Sequence, residues 1–138
     1  MKFLIQKVKG IEMGKIKVDD GFLVYVGIEK NDENRNLKEI INYLEKLQIV
    51  DKEGKFSQTI KEIKPKLIFI SNITLLANFE KGRINFNQAL KPKKAKEIFE
   101  NFVKTWQDLG YQIFYKEFSS FLEIASINIG PINFIIEI

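Results

Sequence analysis

The chain has 138 residues, 45% hydrophobic and 29% charged, with a net charge of +4 at pH 7. That length and composition predict one globular domain with a buried core and exclude a disordered chain. Cysteine and histidine are both absent, which excludes disulfides, thiolate or imidazole metal sites, and catalysis by Ser–His or Cys–His pairs. Any chemistry must come from hydroxyls, amides, backbone groups, carboxylates, lysines or the substrate itself.

In chain order, the opening MKFLIQKVKG turns charged before an apolar signal region has formed, and no apolar run approaches the ~20 residues that span a bilayer. A cytoplasmic protein with no membrane partner is expected. FLIQKV (3–8) and FLVYVGI (22–28) read as strands, with a short glycine-punctuated hairpin arm between them. Asp32 is placed to cap a helix in which Leu37, Ile40, Ile41, Leu44 and Leu47 recur at helical spacing. DKEGK (51–55) reads as a turn and LIFISNITLL (67–76) as one continuous buried strand. A second helix opens at Pro92 and stops before Gly110, with Ala95, Ile98, Phe99, Phe102, Val103, Trp106 and Leu109 on one face. YQIFYKEF, FLEIASIN and INFIIEI then read as three strands. The order β-β-α-β-α-β-β-β over residues 1–138 predicts a single α+β domain with much antiparallel pairing.

Three stretches stand apart. SNITL (71–75) puts two hydroxyls and an amide into the most apolar run of the chain; buried groups of this kind usually satisfy one another. NIGPIN (128–133) interrupts a β-branched run with Gly130-Pro131, a pair that strands tolerate only at edges and bulges. The third is the opening strand with Ile5-Gln6-Lys7-Val8.

Taken together and in this order, these stretches resemble the D-aminoacyl-tRNA deacylase family of the bacterial and eukaryotic type, over nearly the whole chain. The family's Val-Gln-Arg-Val is matched by Ile5-Gln6-Lys7-Val8, and its Ser-Gln-Phe-Thr-Leu by Ser71-Asn72-Ile73-Thr74-Leu75. Its Lys-Gly-Arg loop is matched by Lys81-Gly82-Arg83, and its Asn-X-Gly-Pro-X-Thr by Asn128 to Asn133. The resemblance implies a largely antiparallel, barrel-like core with two main helices, and a cofactor-free homodimer. It implies hydrolysis of the ester between a D-amino acid and the terminal adenosine of tRNA, with L-aminoacyl-tRNA rejected. By the same resemblance Ser71, Asn72 and Thr74 are the catalytic group, with oxyanion donors among the backbone N–H groups of 71–74. Gly130-Pro131 is a cis peptide whose carbonyls reach the partner subunit's site, and Asn128, Ile73 and Lys7 join it in reading chirality. With no histidine beside it, Thr74 is a poor nucleophile, so it is assigned to positioning and the tRNA 2′-hydroxyl to assisting a water.

The chain also departs from the family pattern. Asn72 stands for Gln, Ile73 for Phe, Asn133 for Thr, Lys7 for Arg, and Ser119-Ser120 for Gly-Ala. Lysine cannot reproduce the forked hydrogen bonds of a guanidinium. From Glu80 to Glu97 six basic residues face two acidic ones, the same +4 as the whole chain. Lys81, Arg83, Lys93 and Lys94 are therefore the expected tRNA contacts, the last two lying where a helix dipole disfavours cations. The alternative is a catalytically weak relative that dimerises and binds acceptor ends without cleaving them.

Overall fold

The computed structural model describes residues 1–138. Strands β1 (Lys2–Met13) and β2 (Ile16–Gly27) form one long antiparallel hairpin, in register from Lys2 opposite Gly27 to Met13 opposite Ile16. What reads in the sequence as a separate arm is the continuation of these two strands. A glycine is required at position 21. Its φ is +153°, and a Cβ there would stand 2.5 Å from the Lys66 carbonyl of the neighbouring chain segment.

A 3-10 turn (Lys30–Asn34) precedes helix α1 (Leu37–Glu45). The cap of α1 is Asn36, whose side chain accepts from the Lys38 N–H, and not Asp32. Asp32 is buried instead, and its carboxylate takes the Met1 ammonium at 2.7 Å and the Glu29 N–H at 2.7 Å. A charged amine is a stronger partner for a buried carboxylate than a helix N–H, so Asp32 ties β1 to the loop. Next come β3 (Val50–Lys52) and β4 (Lys55–Gln58), a small hairpin around the expected turn, and then the single-turn helix α2 (Ile60–Ile63).

Strand β5 is Leu67–Ser71 only; Ile73–Leu76 is a 3-10 turn, so the apolar run 67–76 is not one strand. A second small hairpin, β6 (Asn78–Glu80) with β7 (Arg83–Asn85), carries Lys81-Gly82 at its tip. Helix α3 (Pro92–Asp108) has the boundaries that Pro92 and Gly110 predict. Five of the seven residues on its expected face are buried, Ile98 is half-buried, and Leu109, just past the helix end, is 42% exposed. Of the three closing strands the first shrinks to β8 (Ile113–Tyr115), and the other two are one strand, β9 (Ala125–Glu137).

The main sheet has the order β8-β5-β2-β1-β9. β1 pairs antiparallel with β2 and β9, while β5 pairs parallel with β2 and β8. The parallel pairs follow from the helical crossovers: α1 and α2 lie between β2 and β5, and α3 between β5 and β8. The fold is therefore α+β as expected, but the sheet is mixed and open, with β8 and β9 as edges, and not a largely antiparallel barrel.

One face of the sheet carries the large core. Phe3, Phe69, Phe102 and Trp106 pack there as a chain of tilted and edge-on rings, 5.1 to 6.1 Å between centroids. Tyr111 closes it, its hydroxyl donating to the buried Glu45 carboxylate at 2.6 Å. The other face holds a smaller cluster, Val8, Ile11, Met13, Val18, Leu23, Ile68 and Ile70, partly roofed by Leu122 and Ile124. No helix is long and apolar enough to cross a membrane.

Candidate active site

The end of β5 is where the sheet stops and polar side chains take over. Leu67 to Ile70 are buried on both faces, and the Asn72 N–H still completes the ladder to the Val26 carbonyl at 2.9 Å. Asn72 then turns the chain with its side chain. Its Oδ1 accepts the Thr74 N–H at 2.9 Å and the Thr74 hydroxyl, capping the 3-10 turn Ile73–Leu76. Because a backbone N–H can only donate, the oxygen of this amide is fixed, and its NH₂ group remains as a free donor. Ser71 Oγ accepts the Ser119 N–H at 3.0 Å, joining β5 to the segment that crosses from β8 to β9. Ser119 has φ +65°, the left-handed conformation that glycine adopts at no cost, at a position where the family pattern has glycine.

These residues line a cleft of about 440 Å³. Tyr25, Leu76, Pro92 and Phe118 form its apolar walls, and Ile73 and the fully exposed Phe121 stand among its lining residues. No carboxylate, lysine or arginine lines it. Its one ionisable group is Tyr25, whose phenol is pushed above its ordinary value by burial and stays protonated at neutral pH. The Thr74 hydroxyl donates its hydrogen bond to a neutral amide oxygen, which is no base, so nothing here converts it to an alkoxide. Of the backbone N–H groups expected to hold an oxyanion, those of Asn72 and Thr74 are already engaged. The Ser71 hydroxyl and the Asn72 NH₂ group are left to face a ligand, with the Tyr25 phenol and the Ser119 hydroxyl as further unpaired donors in the lining. The cleft thus gathers Ser71, Asn72, Ile73 and Thr74 as expected. It adds Tyr25, which the sequence shows only as a residue of the strand 22–28, and Phe118 and Phe121, which it hid because 111–128 reads as two plain strands.

Lys7, Asn128, Gly130 and Pro131 do not line this cleft. Asn128, Gly130 and Pro131 sit on β9, separated from β5 by β2 and β1, roughly 14 Å of sheet at ordinary strand spacing, and Lys7 sits on β1, separated from β5 by β2 alone. There the β9 register slips: Gln6 faces Asn133 and Val8 faces Asn128, so residues 129–132 bulge out opposite Lys7 alone. The Gly130–Pro131 peptide within the bulge is cis, and Gly130 has φ +116°. A Cβ at Gly130 would stand 2.6 Å from the Ile132 nitrogen, so no larger residue fits this conformation. The Lys7 ammonium pairs with Asp51 on β3. Its hydrogen bond holds the Asp51 carboxyl below the usual carboxylate range.

The expected tRNA contacts are all exposed. Lys81 and Arg83 lie on the β6–β7 hairpin, and Lys93 and Lys94 in the first turn of α3, beside the Pro92 wall of the cleft. Lys94 is within 4 Å of Glu33 and Glu97, whereas Lys93 has no such neighbour.

Comparison with known proteins bears directly on this arrangement. Residues 5–137 match the family described as D-Tyr-tRNA(Tyr) deacylase. A D-aminoacyl-tRNA deacylase of Aquifex aeolicus is 33% identical over 144 residues, covering 99% of this chain and 97% of the relative. One of Lactobacillus gasseri is 31% identical over the full length of both chains. Two solved structures share the fold at a TM-score of 0.84, each covering 99% of this chain and matched over 98% of its own. One is a probable eukaryotic D-amino acid tRNA deacylase at 11% identity, the other a c-Myc DNA unwinding element binding protein at 20%.

Proposed function

The chain belongs to the D-aminoacyl-tRNA deacylase family, and from that premise we propose that it hydrolyses D-aminoacyl-tRNA to free D-amino acid and tRNA while sparing the L-aminoacyl ester. The observation that carries the chemistry is the cleft itself, which offers neutral hydrogen-bond donors and no side chain able to act as a base at neutral pH. An aminoacyl ester is activated and needs little base catalysis, so a site of this kind suits it. Water adds to the ester carbonyl with the 2′-hydroxyl of the terminal ribose assisting. The Ser71 hydroxyl and the Asn72 NH₂ group hold the oxyanion. The carbonyl–O3′ bond then breaks and the water's proton ends on the 3′-oxygen, giving the carboxylic acid and the tRNA 3′-hydroxyl. Thr74 positions Asn72 through the hydrogen bond they share.

Selectivity is assigned to Gly130-Pro131 acting across a homodimer. The exposed placement of this bulge on an edge strand, away from its own cleft, supports a role in the cleft of a second copy. Backbone atoms there accept the substrate ammonium and fill the volume an L side chain needs, whatever that side chain is. Exposed Lys93, with Lys81 and Arg83, lies where the acceptor strand leaves the cleft and contacts its phosphates.

The test is single-turnover cleavage of D- and L-tyrosyl-tRNA, with parallel 3′-esters on 2′-deoxyadenosine-terminated tRNA. The expected result is cleavage of the D ester only, a larger loss on the 2′-deoxy substrate than from Thr74→Ala, and measurable activity in that variant. Cleavage of neither ester, with tRNA still bound, would replace this reading by a binding-only relative. Full activity on the deoxy ester with an inactive Thr74→Ala would make Thr74 the nucleophile.

A further inference from the structure

The Gly130-Pro131 bulge is held by side-chain amides. Asn128 Nδ2 donates both to the Lys7 carbonyl at 3.0 Å and to the Ile132 carbonyl at 3.3 Å, spanning the bulge from one side to the other. Two carbonyls can only accept, so this nitrogen is fixed and Asn128 Oδ1 must accept in turn. It does so from Asn133 Nδ2 at 3.3 Å. Asn133 Oδ1 then accepts from Gln6 Nε2 at 3.0 Å. The result is a one-directional relay, Gln6 to Asn133 to Asn128 to the two carbonyls, across the register slip of β1 and β9.

We propose that Asn133 is a positioning residue for D/L selectivity, holding the bulge through this relay in the role that Lys7 cannot fill. Lys7 occupies the position nearest the bulge but spends its ammonium on Asp51. Asn133 accepts from Gln6 and donates to Asn128, so its amide is the link that joins β1 to the Asn128 bridge. A threonine, the family's residue there, has one donor and two acceptor sites on a single oxygen, so it would have to meet Gln6 and Asn128 from one atom where Asn133 uses the two ends of an amide. The inference rests on the reading above that the bulge reads chirality, and it adds which side chain keeps the bulge in register.

Asn133→Asp is the sharp variant. It keeps the shape and the bond from Gln6, but its carboxylate cannot donate and faces the Asn128 oxygen. Asn133→Val removes both bonds and guards against an effect peculiar to the added charge. Each is compared with the wild-type full chain in two measurements: single-turnover cleavage of D- and L-tyrosyl-tRNA, and amide hydrogen exchange of residues 129–133. In both variants the L rate relative to the D rate should rise about fivefold or more, the worth of one ordinary hydrogen bond. Exchange at Ile129, Gly130 and Ile132 should accelerate by a similar factor, with β1 and α3 unchanged. An unchanged D/L ratio in a folded Asp variant overturns the proposal, as does unchanged exchange across the bulge. A wild type that cleaves both esters alike overturns the chirality reading and the role of Asn133 with it. That failure is visible in the wild-type rates before any variant is made.

Discussion

The cleft at the end of β5 and the bulge on β9 are built on opposite plans. The cleft is backed by a strand buried on both faces, and its polar groups are tied to one another: Asn72 to Thr74 two residues on, and Ser71 to Ser119 on the segment that follows β8. The bulge is on an exposed edge, interrupts the ladder, and is held by amides reaching across from β1 and β9. The first plan gives a rigid floor on which a reacting ester can be placed. The second gives a projecting element placed away from its own cleft, which in the proposed dimer serves the cleft of a second copy. In this account chemistry and selectivity lie on separate parts of one chain, and they meet only when two chains do.

Perturbing each part separately sharpens that division. The largest effect is expected from Asn72→Ala, which removes an oxyanion donor and the cap of the 3-10 turn. Cleavage of D-tyrosyl-tRNA should fall on the order of 100-fold in kcat, with the D/L preference of the residual activity retained. A comparable fall in tRNA affinity instead would move Asn72 from chemistry to binding. Gly130→Ala comes next, because φ +116° and the close Ile132 nitrogen leave no room for the added methyl. The D/L ratio should drop by about tenfold, the equivalent of ~1.4 kcal/mol, while cleavage of the D ester persists. If the D rate collapses and the ratio holds, the two parts are not separable.

A smaller effect is expected at the basic rim. Lys93→Glu should weaken tRNA binding several-fold and reduce the slope of log affinity against log salt by about one. Lys94→Glu should do less, since Glu33 and Glu97 already screen that lysine. Equal effects would show that the helix dipole, and not phosphate contact, governs both. The smallest effect on catalysis belongs to the scaffold. Burial and the Glu45 hydrogen bond push the Tyr111 phenol well above its ordinary value of 10.0. A raised folded-state value contributes stability that is complete below pH 10 and lost as pH rises beyond it. Tyr111→Phe leaves the buried Glu45 carboxylate without its partner, so it should lower stability by about 1–3 kcal/mol at neutral pH. It should also flatten the loss above pH 10, with both ester rates unchanged in the folded protein. Thermal and alkaline melts check the sign.

The contrast between cleft and bulge also explains what could be read from residues alone. Helix α3 was legible because Pro92, Gly110 and the spacing from Ala95 to Trp106 are local signals that all point one way. The cleft residues Ser71, Asn72 and Thr74 were legible as a motif, but the turn was not. Asn72 ends the strand through its own side chain, and an apolar run conceals such a cap. β9 was split in two because Gly-Pro reads as a break. It is a break in the ladder yet not in the strand, because Asn128 bridges it. Asp32 read as a helix cap, and its true partner, the Met1 ammonium, lies 31 residues away in sequence. The parallel pairs escaped because strand direction depends on the long crossovers and leaves no local pattern. Phe121 escaped because nothing in its neighbours distinguishes a rim residue from a strand residue.

Subunit complementation tests the central claim most directly. Asn72→Ala disables the cleft and spares the bulge; Gly130→Ala alters the bulge and spares the cleft. In mixed dimers, the account gives one composite site made of an intact cleft and an intact bulge, and one defective in both. The mixed dimer, purified away from both parent homodimers, should therefore show the wild-type D/L ratio at about half the wild-type activity. A mixed dimer with the ratio of Gly130→Ala alone would contradict it, because the bulge would then be acting on its own chain or not at all.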